Sequence, residues 1–159
     1  MGENIKLLCV DDERNVLRAL ERIFMDDEYE ILTAASGEEG LALFAANPDI
    51  QVVISDYRMP GMNGVEFLRQ VCEKHPDTVR IVLSGYADTS SVVSAINEGQ
   101  IYKFVSKPWS DEELRQTVAK AVESFALHHQ NRELEKELDE LKRELAALKA
   151  SLGTQSLSK

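Results

Sequence analysis

The chain has 159 residues, 43% of them hydrophobic, which suffices for one packed domain and some additional chain. Its 18 Lys+Arg stand against 28 Asp+Glu, and the resulting net charge of −10 argues against unaided binding to a nucleic-acid backbone. No apolar run approaches the ~20 residues of a membrane span, Lys6 breaks the N-terminal myristoylation pattern, and two cysteines far apart in apolar segments, Cys9 and Cys72, fit a reducing cytoplasm rather than a disulfide framework.

Taken in chain order, short β-branched runs alternate with amphipathic stretches. Ile5–Val10 reads as a buried strand and Glu13–Met25 as a helix carrying Val16, Leu17, Leu20 and Phe24 at helical spacing. Glu30–Ala34 is a strand. Ser36–Ala46 is a helix with a capping box, Ser36 and Glu39. Gln51–Ser55 is a strand, and Gly64–Lys74 a helix stopped near Pro76. Val79–Ser84 is a strand, Asp88–Asn97 a helix closed by Gly99, and Tyr102–Ser106 a strand. Ser110 then caps a last helix, with Glu113 completing a second capping box.

Five apolar strands alternating with helices predict a parallel sheet covered on both faces. Right-handed crossovers make it doubly wound, with chemistry at the carboxyl ends of the strands. Those ends carry Asp11, Asp12 and Glu13, then Asp56, then Ser84, then Lys107. Each has an ordinary explanation by itself: a helix first turn, an Asx-turn, loop serine chemistry, a solvated lysine. Together they do not. Crowded carboxylates repel one another, and a hard divalent cation relieves that cost. Mg²⁺ would keep positions open for a phosphate oxygen, Lys107 and Ser84 would take others, and Asp56 would be the nucleophile.

The motifs Val10-Asp11-Asp12, Ser55-Asp56-Tyr57-Arg58-Met59-Pro60-Gly61-Met62-Asn63-Gly64, Leu83-Ser84-Gly85 and Lys107-Pro108 resemble those of response-regulator receiver domains of two-component signalling. The resemblance covers about residues 4–123 and implies a five-stranded, flavodoxin-like fold. It implies that Asp56 is the phosphoacceptor of a partner histidine kinase or phosphotransfer protein. It implies Mg²⁺, with Mn²⁺ as a substitute, held by Asp12, Asp56 and the backbone carbonyl of Arg58, with Asp11 acting through water. Ser84 and Lys107 would contact the phosphoryl group, and Phe104, three residues before the lysine, takes the switch-aromatic position. Arg58 and Tyr86 would crowd the approach of hydrolytic water and slow dephosphorylation. The stretch Ala95–Phe104 with Lys107-Pro108-Trp109 is similar to receivers that precede HD-GYP phosphodiesterases or hydrogenase-type transcriptional regulators. An output domain or protein is therefore an open partner, and the chain itself is read as a switch rather than an enzyme.

The C-terminal region has different physics. Residues 1–123 hold 12 basic and 22 acidic side chains, whereas 124–159 hold six of each. Leu127, Leu134, Leu141 and Leu148 occupy heptad d positions, and Asn131, Leu138, Leu145 and Leu152 occupy a positions. Glu137 and Glu144 at g face Lys142 and Lys149 at e of a parallel partner, and a lone a-position Asn fixes register. The expectation is a receiver over 1–123, a parallel coiled-coil homodimer over 124–152 and a flexible tail over 153–159, with no direct nucleic-acid or membrane contact. The competing readings are a scaffold that is never phosphorylated and a haloacid-dehalogenase-like phosphatase. The latter wants Asp-x-Asp and its nucleophile after the first strand, whereas here the pair is adjacent.

Overall fold

The structure is a computed structural model that describes residues 5–85 and 89–157. Strands β1 (Ile5–Val10), β2 (Tyr29–Ala34), β3 (Ile50–Asp56), β4 (Val79–Ser84) and β5 (Lys103–Ser106) alternate with helices α1 (Arg14–Ile23), α2 (Gly37–Ala46), α3 (Gly64–Lys74), α4 (Thr89–Asn97) and α5 (Asp111–Leu157). All strands are parallel, in the order β2-β1-β3-β4-β5. This is the expected doubly wound sheet, whose order reverses between β1 and β3. No helix among the described residues is long and apolar enough to cross a membrane.

The alternation of side chains along each strand splits the core in two. Leu8, Val10, Val53 and Val82 pack with Phe44 of α2, Val65, Phe67, Leu68 and Val71 of α3, and Val92 and Ala95 of α4. Leu7, Cys9, Val52, Ile54, Ile81 and Leu83 pack with Leu17 and Leu20 of α1, the adjacent Phe24, and Leu114, Val118 and Ala121 of α5. Burial pushes the Cys9 thiol up to about 12, so it behaves as a small hydrophobe.

Several boundaries differ from the sequence reading for local reasons. Helix α1 starts at Arg14 because Glu13 is extended and donates its N–H to Asp11 Oδ1 at 2.8 Å. It ends at Ile23, leaving Phe24 in the core and Met25 exposed. Strand β3 includes Asp56, which pairs with Leu83. In the first capping box Ser36 Oγ accepts from Glu39 N–H, but Glu39 reaches back to Ala35 N–H. Asn63 caps α3 reciprocally with Glu66, a cap the sequence reading did not name. Arg80 is buried and donates to the carbonyls of Pro76, Thr78, Gly99 and Gln100, tying β4 to the turn before β5. Nothing in a strand-like Val-Arg-Ile-Val pattern signals that role.

The chain divides into two compact units, Met1–Phe125 and Ala126–Lys159. Phe125 packs half-buried in the first. The second is helical, and its seam leucines are 51–62% exposed. Helix α5 continues past Gly153 to Leu157, beyond where the sequence reading stops it. One glycine costs a helix only about 1 kcal/mol, and no proline follows to end it.

Candidate functional site

The switch between β1 and β3 opens a notch at the carboxyl edge of the sheet. Register fixes what lines it. Val10 pairs with Ser55, so Asp11 and Asp56 leave adjacent strands side by side. Asp56 pairs with Leu83, and Ser84 pairs with Ser106, which brings in Lys107 on the far side. Lys107 donates its backbone N–H to Ser84 O at 3.0 Å and is joined to Pro108 by a cis peptide bond.

The side chains converge accordingly. Carboxylate oxygens of Asp11, Asp12 and Asp56 lie within 4.8 Å of one another, Asp12 being exposed and the other two buried. Lys107 Nζ sits 2.6 Å from Asp56 Oδ1 and 4.0 Å from Asp11 Oδ2. One ammonium thus faces two of the three clustered carboxylates. Asp11 Oδ1 is held by Glu13 N–H, but Asp11 Oδ2 is buried without a hydrogen-bond partner. A buried carboxylate oxygen left bare, beside two more acids, is what a bound cation would satisfy. The residues present therefore fit a divalent metal.

The loop after Asp56 is closed tightly. Tyr57 N–H donates to Leu83 O, and Gly64 N–H donates to Tyr57 O. Gly61 takes a left-handed φ of 76° that favours glycine. Gly64 lies so close to the Asp56 carbonyl that a Cβ there would sit 2.2 Å from its oxygen. Arg58 is exposed on this loop. Ser84 is buried, its hydroxyl donating to Gly85 O at 3.0 Å. Phe104 is half-buried against the α2/α3/α4 core. Tyr86, invoked for slow dephosphorylation, lies outside the described residues. Thus Asp11, Asp12, Asp56 and Lys107 come together and Ser84 stands next to Asp56's strand partner. The seam residues Leu127 to Leu152 and Asn131 lie in the second unit. The sequence reading did not single out Gly64 as a point of close approach, nor Ser55, whose hydroxyl bonds the Asp56 carbonyl.

Burial, more than the neighbouring Asp56 and Asp12 charges, raises the Asp11 carboxyl from 3.8 to about 6. The folded value exceeds the unfolded one. The proton therefore favours the folded state below about pH 4, and on the order of 3 kcal/mol of that advantage is lost as pH rises through 6. A divalent cation competes with this proton. Mg²⁺ affinity should accordingly fall up to tenfold per unit below about pH 6, and Mg²⁺ should raise Tm more at about pH 8 than at about pH 5. Titrations followed by fluorescence of Trp109, the single tryptophan, check this; a pH-independent affinity over that range contradicts it.

Residues 7–119 match the response regulator receiver domain family. The hydrogenase transcriptional regulatory protein HoxA of Cupriavidus necator is 42% identical over 132 residues, covering 83% of this chain and 27% of that protein. A structure described as adenylate cyclase from Rhodopirellula baltica superimposes with a TM-score of 0.81 at 31% identity, covering 84% of this chain and 98% of the other. The signal receiver domain of an HD domain-containing protein from Pseudomonas fluorescens gives 0.77 at 31% identity, covering 82% and 95%. The similarity to hydrogenase-regulator and HD-protein receivers read from the sequence is thus present. The chain spans about a quarter of the length of the curated relatives it matches. Since the family match over residues 7–119 runs through all five strands of the sheet, the chain belongs to the response regulator receiver domains of two-component systems.

Proposed function

We propose that this receiver is a phosphorylation switch in which Asp56 takes a phosphoryl group from a phosphohistidine of a sensor kinase or phosphotransfer protein. An Asp56 carboxylate oxygen forms the new P–O bond, the P–N bond breaks, and its electron pair returns to the imidazole, which takes up a proton. Asp12, Asp56 and the Arg58 carbonyl, with Asp11 nearby, would hold Mg²⁺, which when bound shields phosphoryl charge from the acidic edge. Lys107 neutralises the carboxylate before the donor arrives and then binds a phosphoryl oxygen. Ser84 turns its hydroxyl from Gly85 O to another oxygen, and Phe104 moves into the space it leaves. The observation that carries this reading is the 2.6 Å contact of Lys107 with Asp56 inside a cluster of three carboxylates.

The test is intact-mass measurement after incubation with acetyl phosphate and Mg²⁺. Wild type should gain one phosphoryl group that hydroxylamine removes, and Asp56→Asn should gain none. An unmodified wild type, or an Asp56→Asn protein that labels equally, defeats the reading. The first of these outcomes would favour the unphosphorylated scaffold.

Residues 124–152 complete the proposal as a parallel two-stranded coiled coil. From Leu127 to Leu152 it would run roughly 39 Å at about 1.5 Å per residue. Its support is the exposed leucine seam with Asn131 at one a position and Glu-to-Lys pairs at g and e. A buried seam leucine is worth roughly 2 kcal/mol, so Leu141→Lys with Leu145→Lys should convert a dimer to a monomer by sedimentation. A wild type that sediments as a monomer, with or without beryllofluoride, excludes the coil. Hydrogenase-type or similar transcriptional output would be exerted by a partner domain or protein, by analogy with the named relatives.

A further inference from the structure

Ser55 is a hydroxyl in an apolar layer. It is fully buried, between Val10 on β1 and Val82 on β4, on the strand face it shares with Val53. A polar group in that position is costly unless it is hydrogen-bonded. Its bond runs to one place: Oγ donates to the backbone carbonyl of Asp56 at 3.0 Å.

That carbonyl is a sensitive point. The β1–β3 register ends at Val10 and Ser55, one residue before Asp56, so the flanking strand no longer braces the chain there. The returning loop presses on the same oxygen through Gly64. The peptide that follows Asp56 therefore sits past the end of the β1 ladder: its N–H, that of Tyr57, donates to Leu83 O on the β4 side, and its carbonyl is held by the Ser55 hydroxyl and the close approach of Gly64. Rotation of this peptide would turn the Asp56 side chain and carry the loop bearing Arg58 with it.

We infer that Ser55 is a positioning residue for phosphoryl transfer: its hydroxyl fixes the Asp56–Tyr57 peptide group and thereby aims the Asp56 carboxylate. The inference rests on the phosphoacceptor reading above. It assigns Ser55 no contact with the phosphoryl group.

Three variants of the full chain test it, with acetyl phosphate and Mg²⁺ as the probe. Labelling is followed by intact mass at a series of acetyl phosphate concentrations. Ser55→Ala should label about tenfold more slowly at saturation, with the half-saturating concentration unchanged, because misaiming affects the transition state more than donor binding. Ser55→Thr keeps the hydroxyl and should recover most of the rate. Ser55→Val has the same shape as the threonine without the hydroxyl, so the Thr and Val pair decides the matter even if the alanine variant does not fold. Thermal unfolding separates aiming from packing, since a purely structural serine would change Tm and leave the saturated rate alone. Equal saturated rates for Thr and Val overturn the inference. A wild type that accepts no phosphoryl group at all defeats the underlying reading, and the inference with it.

Discussion

Gly64→Ala should lose at least about 3 kcal/mol of folding stability and most of its Mg²⁺ affinity. The added Cβ would stand 2.2 Å from the Asp56 oxygen and 2.9 Å from both the Asp56 carbonyl carbon and the Tyr57 Cα. These are backbone atoms at the end of the central strand, and none can rotate aside. Either the first turn of α3 lifts off the sheet or the peptide after Asp56 moves. The first exposes Val65, Phe67 and Leu68 of the core, and the second displaces the carboxylate. Two other glycines supply the scale. A Cβ at Gly37 would meet Met62 Sδ at 2.9 Å, the end of a flexible side chain that can move, and one at Gly85 would meet nothing within 4 Å among the described residues. The expected order of damage is Gly64→Ala, then Gly37→Ala, then Gly85→Ala. Urea unfolding measures the stability and Trp109 fluorescence the Mg²⁺ affinity. A Gly64→Ala protein within about 1 kcal/mol of wild type, with unchanged affinity, would show that the loop yields there at little cost.

The strands and their order of chemistry were legible because they rest on one-dimensional signals. A β-branched run bounded by turn residues identifies a strand, and an acid, a serine or a lysine placed at its end identifies the edge. Hence Asp11, Asp12, Asp56 and Lys107 could be expected at one place, and the sheet places their strand ends there. What was not legible depends on distance across the fold. Gly64 follows Asp56 by eight residues, and only the closed loop makes it a neighbour of that carbonyl. Ser55 reads as one more small residue in a buried strand until its hydroxyl is seen to have a single acceptor. Arg80 looks misplaced in an apolar run, because its four carbonyl partners come from segments on both sides of it. Boundaries slipped by a residue or more where side chains compete with backbone for the first N–H groups, as Asp11 does at the start of α1.

Lys107→Ala should move two measurements in opposite directions. The ammonium lies 2.6 Å from Asp56 Oδ1 and 4.0 Å from Asp11 Oδ2, so it occupies the charge that a metal ion would otherwise neutralise. A pair this close interacts by several kcal/mol at an effective dielectric near 20, but Lys107 keeps about a third of its side-chain exposure, so screening leaves roughly 1–2 kcal/mol. Removing it should tighten Mg²⁺ binding about tenfold. Lys107 is also among the charges that lower the Asp11 carboxyl, so the pH at which Mg²⁺ affinity falls should move upward. Phosphoryl transfer should respond the other way. Charge accumulates on the equatorial oxygens as the donor bond breaks, and loss of one fixed cation at such a site costs on the order of a hundredfold in rate. Lys107→Arg keeps the charge on a larger planar group and should recover the metal affinity of wild type but little of its rate. Metal titration and labelling by acetyl phosphate on the same three proteins make the comparison. If Lys107→Ala binds Mg²⁺ no better than wild type and labels as fast, the contact with Asp56 is a surface ion pair with no part in the chemistry.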